Sequence, residues 1–173
     1  MKKLLMLLLA VVTFVFSGCK KDLPTPEKFE TIAESIGVAT GYVVNQTKID
    51  GKARNALIDV MNAVRQVTPN QNQTFTDAWT PIAKQVVDKL VADGSLDKDS
   101  AELVTATFGV VCKGIDYIFN VRYPKAKTQV ELVNAAIRGF IDGFLTVFKP
   151  INNSFAATPP ANMDKEAYKY LTK

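Results

Sequence analysis

The sequence predicts an all-α protein, an up-and-down bundle of about five helices followed by a C-terminal tail. Three observations lead there. Apolar residues recur at 4-3-4-3 spacing in two segments, Ala53, Leu57, Val60, Val64, Val67 and Val104, Phe108, Val111, Ile115, Ile118, which puts each set on one helical face. No segment alternates apolar and polar residues as a half-buried strand does. The breaks between segments are short and rich in Gly, Pro, Asn and Asp, which suits antiparallel neighbours.

The first helix is expected from about Pro26 to Gln46, with Phe29, Ile32, Ala33, Ile36 and Val43 on one face, and Asp50-Gly51 breaking it. The second covers about Lys52 to Val67, and a polar loop runs from Thr68 to Thr74. The third spans about Phe75 to Ala92 and carries Trp79, Ile82, Val86, Val87 and Leu90. Pro81 lies inside it, so either Thr80 caps the main helix there or the helix kinks. Gly94 ends it; Asp97 is placed to cap a fourth helix that reaches about Val121 before Pro124. Thr128-Gln-Val-Glu131 has the form of a capping box opening a fifth helix that runs to Phe148. The bundle is thus assigned to residues 27–149. The tail, 150–173, contains Pro159-Pro160 and then a short helix from Asn162 to Leu171. In this arrangement the 68–74 and 122–127 connections lie at the N-terminal end of the bundle, and the 47–51 and 93–97 turns and the tail point away from it.

The N-terminus has a different character. Met1-Lys2-Lys3 precedes thirteen residues, Leu4 to Phe16, interrupted only by Thr13. Thirteen helical residues reach about 20 Å, short of the roughly 30 Å of membrane hydrocarbon, so the run fits a secretory h-region and not a spanning anchor. Phe16-Ser17-Gly18-Cys19 resembles the lipobox of bacterial lipoproteins. The resemblance, confined to residues 1–19, implies a signal peptide over 1–18, diacylation of Cys19, cleavage before it and acylation of its amine. It also implies a palmitate-type anchor in the membrane. Residues 19–26 would form the lipidated cysteine and a tether, which Pro24 and Pro26 keep from being helical. Lys20 stands where enteric-type sorting reads aspartate as an inner-membrane signal, so the resemblance implies the cell envelope, at the outer membrane.

Composition excludes several functions. Taking Lys2 and Lys3 from the 21 basic residues leaves 19 against 17 acidic ones, near +2, which gives no case for nucleic-acid binding. Histidine is absent, which removes His-based zinc sites, Ser-His-Asp triads, Cys-His pairs and imidazole bases. With Cys19 lipidated, Cys112 is left without a disulfide partner and is expected to be a buried structural thiol. Asp59, Asp88, Asp116 and Asp142 read as isolated surface carboxylates, and no acid/base pair stands out. These readings point to a non-enzyme with no cofactor and no metal.

Six glycines fall inside predicted helices: Gly37, Gly41, Gly109, Gly114, Gly139 and Gly143. Each costs about 1 kcal/mol relative to alanine, so together they approach a domain's net stability and something must offset them. Ala33, Gly37, Gly41 and Ala135, Gly139, Gly143 form two stripes of small residues at every fourth position. Such stripes serve close helix packing inside the bundle, a self-association surface, or a groove for an apolar ligand. Arg122, Lys125 and Lys127 cluster beside the end of the fourth helix. They are read as a solvated loop that complements the helix C-terminus, or as contacts to anionic headgroups. The oxygen-rich stretch Asp93 to Glu102 lacks the EF-hand pattern of glycine sixth and glutamate twelfth. Asp99-Ser100-Ala101 resembles a tripeptide that some bacterial envelopes O-glycosylate. The function expected is a lipid-anchored interaction module with an envelope protein partner. The alternatives are a carrier for a small apolar ligand and a phage- or prophage-encoded lipoprotein that blocks superinfection.

Overall fold

Caps and breakers set the ends of each helix in the computed structural model, which describes residues 23–47, 49–148 and 163–172. Residues 1–22, with the expected signal peptide, Cys19, Lys20 and most of the expected tether, and the segment with Pro159-Pro160 lie outside the described residues. Helix α1 is Pro26–Asn45, α2 Gly51–Val64, α3 Phe75–Ala92, α4 Lys98–Tyr117, α5 Val130–Val147 and α6 Lys165–Leu171. No strand occurs among the described residues.

Asp50 caps α2 by accepting the Ala53 N–H at 2.8 Å, and Asp97 caps α4 by accepting that of Ser100 at 2.8 Å. Gly94 stops α3 with a positive φ of 79°, a conformation that glycine adopts without strain. Two sequence expectations change. Thr128 and Glu131 form no capping box: Thr128 ends a 3-10 turn, Pro124–Thr128, and its hydroxyl donates to the Lys125 carbonyl at 3.0 Å. The capping box instead opens α3, where Thr74 and Asp77 bond reciprocally at 3.0 and 3.2 Å. Helix α3 then runs through Pro81 without a second start at Thr80. Helix α4 passes into a π-helical turn, Ile118–Arg122, closed by the Tyr123 N–H on the Ile118 carbonyl at 2.7 Å.

The helices alternate in direction, and long-range contacts fix the two ends. At one end Phe119, after α4, packs on Phe29 of α1 at 5.8 Å and stacks on Phe75 of α3 at 5.2 Å. Trp79 sits edge-on to Phe75 and donates its indole N–H to the Val67 carbonyl at 2.9 Å, a buried aromatic with its polar atom satisfied. Asp116 is not an isolated carboxylate: it accepts the Phe75 N–H at 2.9 Å and the Thr76 hydroxyl at 2.7 Å, tying the start of α3 to the end of α4. Asp142 is likewise paired, with Arg65 at 2.5 Å. At the other end Arg54 is buried beneath the Phe148 ring, its guanidinium 4.1 Å from the ring centre, and donates to Asn45 at 2.6 Å. Loss of hydration there lowers the Arg54 pKa from its usual value.

The tail does not point away. Its described part returns to the bundle as α6, laid along α1 and against α4. Asp164 donates its N–H to the Ser35 carbonyl at 3.2 Å and pairs through its carboxylate with Arg122. Tyr168 packs on Tyr42, and Tyr170 on Tyr117.

Candidate functional site

Small residues serve two opposite purposes in this bundle. On α1 and α5 they close a seam. The two helices run parallel and make the most extensive helix contact among the described residues. A β-carbon added at Gly37 would overlap the Phe140 carbonyl, one at Gly139 the Glu30 carbonyl, and one at Gly143 the Glu34 carbonyl. At Gly41 it would meet the Phe144 carbonyl oxygen at 2.8 Å. Ala33 and Ala135 are fully buried along the same seam. Both stripes are therefore spent on backbone-to-backbone packing between α1 and α5. This leaves them no free face for self-association and no space for a ligand. Glu30 and Arg138 clasp the seam's edge at 2.8 Å. Gly114 of α4 completes it, since a β-carbon there would strike the Thr40 hydroxyl and, at 2.9 Å, the Phe140 ring.

On α3 and α4 the small residues leave space. A groove of about 820 Å³ opens between these helices, floored by Ala83, Val87 and Phe108. Ala101, Ala106 and Gly109 form its α4 wall, and its lining is mainly apolar. Nothing lies within 4 Å of a β-carbon built at Gly109. Of the helix-interior glycines it alone bears its helix cost of about 1 kcal/mol with no contact inside the molecule to account for it. Lys84 and Asp88 stand on the α3 rim, and Lys98 and Glu102 on the α4 rim, all four exposed. Comparison with family models, curated proteins and solved structures found no match to this chain. Any functional reading therefore rests on the residues themselves.

The remaining positions singled out in the sequence do not assemble into a reactive site. Cys112 is buried, and burial together with the nearby Asp116 carboxylate pushes its thiol up to about 12, so it stays protonated at neutral pH. Asp93 and Asp97 are turn and cap residues: the Ser95 hydroxyl and N–H donate to Asp93, and the Ser100 N–H and hydroxyl to Asp97, which holds both carboxyls below the usual range. No group of three or more metal-ligating side chains occurs among the described residues. Ser100 is buried and bonded to both Asp97 and Asp50, so its hydroxyl is not presented to a glycosylating enzyme. The three cations are divided. Arg122 is engaged by Asp164 of the returning tail, whereas Lys125 is exposed and Lys127 half-buried on the 3-10 turn. No helix among the described residues is long and apolar enough to cross a membrane.

The sequence reading found the seam residues but not the groove. The available signal was Gly109 itself, a helical glycine outside both stripes with Thr105 and Ala106 just before it.

Proposed function

We propose that the chain is a lipid-anchored interaction module of the bacterial cell envelope, non-enzymatic, held at the outer membrane through Cys19. The lipobox-like Phe16-Ser17-Gly18-Cys19 behind a thirteen-residue apolar run carries the anchor. The open, mainly apolar α3–α4 groove supports the interaction role. Phe29 at the start of α1 lies 5.3 Å from Tyr123 beside the 3-10 turn, which supports reading exposed Lys125 as near the end that a tether would hold. There it would face anionic headgroups.

The anchor is tested by metabolic labelling with palmitate. Wild-type chain incorporates label and, when the lipoprotein signal peptidase is blocked by globomycin, accumulates a precursor longer by the 18 residues before Cys19. The Cys19→Ala variant takes up no label. Label in that variant, or wild-type chain released without lipid, contradicts the reading. A carrier of a small apolar ligand is the second reading, favoured by the groove's apolar floor; lipid co-purifying in stoichiometric amount would support it.

A further inference from the structure

We propose that the pocket between the end of α2 and the side of α5 binds a phosphate group, held between the guanidiniums of Arg65 and Arg138.

Side-chain bridges build the frame. Asn134, Arg138 and Asp142 stand four residues apart on α5, on a single face of the helix. Opposite them the chain leaves α2 through Arg65 to Thr68. Arg65 pairs with Asp142 at 2.5 Å, and the Thr68 hydroxyl donates to Asn134 at 3.0 Å. Arg138 stands between these two bridged positions. The pocket there has a volume of about 310 Å³ and is lined by Arg65, Gln66, Thr68, Asn134, Ile137 and Arg138.

The chemistry of this lining selects an anion. Two cations and three neutral hydrogen-bonding side chains surround one buried apolar residue, Ile137. Among the described residues no carboxylate lines the pocket. Glu30 and Asp142 hold Arg138 and Arg65 from outside that lining, each through one hydrogen bond, at 2.8 and 2.5 Å. A guanidinium carries five N–H donors in a planar fork, so most of both forks is left for a ligand. Phosphate accepts such forks two bonds at a time, and two forks from separate elements suit its several oxygens. The Arg138 and Glu30 side chains are 51% and 38% exposed. Ion pairs so open to water contribute little, so Arg138 can exchange Glu30 for a ligand oxygen. The Gln66 side chain is exposed and makes no hydrogen bond among the described residues, which leaves it for hydroxyls on the group that carries the phosphate.

Glu30 lies in the second turn of α1, toward the end that a tether would hold. The phosphate therefore belongs either to a soluble compound or to a lipid headgroup, and only the second source rests on the anchor reading.

The test uses full-length chain, processed in the bacterial cell and purified in a maltoside detergent, which contains no phosphate. Inorganic phosphate is titrated at constant ionic strength and its phosphorus NMR linewidth followed. Saturable broadening is expected for the wild type, and Arg65→Gln and Arg138→Gln should each weaken binding several-fold. Gln66→Glu breaks no ion pair; it should weaken binding several-fold with an unchanged Tm. Glu30→Gln releases Arg138 and should tighten binding. A purely structural role for the two arginines predicts neither of these last results. No saturable broadening in the wild type, or equal broadening in the wild type, Arg138→Gln and Gln66→Glu, would overturn the site. Once binding in micelles is established, vesicles of mixed phosphatidylcholine and phosphatidylglycerol identify the source. A site filled by headgroups no longer takes up inorganic phosphate there, whereas a site for a soluble compound still does; both results uphold the site. Palmitate labelling of the same samples reports the anchor separately, so failure of the site and failure of the proposed function give different results.

Discussion

The α1–α5 seam and the α3–α4 groove use the same residue types to opposite ends. On α1 and α5 small residues recur every four positions on both helices, so two flat faces meet and the backbones close until a methyl group no longer fits. On α3 and α4 the larger residues Trp79, Val87, Val104 and Phe108 are buried, and Ala101, Ala106 and Gly109 line the open groove beside them. A glycine in a helix thus has no fixed meaning. What stands opposite decides whether it is a packing requirement or a gap.

The largest effect should come from filling the seam. A leucine in place of Gly37 or Gly139 inserts four carbons where a carbonyl now lies; overpacking of this kind costs about 1–3 kcal/mol, and more where backbones must part. Improved helix propensity returns only about 1 kcal/mol. Thermal unfolding of residues 22–173, produced without lipid, should show a clear drop in Tm. An unchanged Tm would mean the two helices are not in backbone contact.

Next comes the edge of the open pair. Asp97→Ala removes the cap of α4 and should lower the denaturant midpoint, read by denaturant unfolding. Asp77 and Asp97 hold depressed carboxyl pKa values because Thr74 and Ser100 donate to them. Their contribution is therefore present above the unfolded value near 3.9, and is lost as pH falls through the lower folded values. Stability of the wild type should decline on that acid side, and less steeply in Asp97→Ala. A parallel decline in both proteins would remove the cap from the account. The smallest effect is at Cys112: folded protein should resist thiol reagents at pH 8 and react once unfolded, whereas rapid labelling of the folded state would contradict its burial.

Much of this was legible in the sequence because helical periodicity and end signals are local. The 4-3-4-3 stripes, the Asp97 cap and the Gly94 stop all lie within a turn or two of what they control. Features that depend on distant residues were not. The docking of α6 rests on Asp164 with Arg122 and Glu166 with Tyr117, 42 and 49 residues apart. Asp116 looked isolated because the N–H groups it accepts are 40 and 41 residues away. The capping box at Thr128 failed because the 3-10 turn had already claimed the threonine. The true box, at Thr74, uses Asp77 in place of the longer Glu or Gln. The glycine spacing named the seam residues, yet the groove could not be read, since a gap is defined by what fails to pack there.

One paired measurement bears most directly on the contrast between seam and groove. Gly139→Ala and Gly109→Ala make the same chemical change in the interior of a helix, and both should be compared with the wild type by denaturant unfolding in dilute solution. The account predicts opposite signs. Gly109→Ala should gain up to about 1 kcal/mol from propensity alone. Gly139→Ala should lose stability, because its methyl group would overlap the Glu30 carbonyl and force the helices apart. Two changes of the same sign would contradict it.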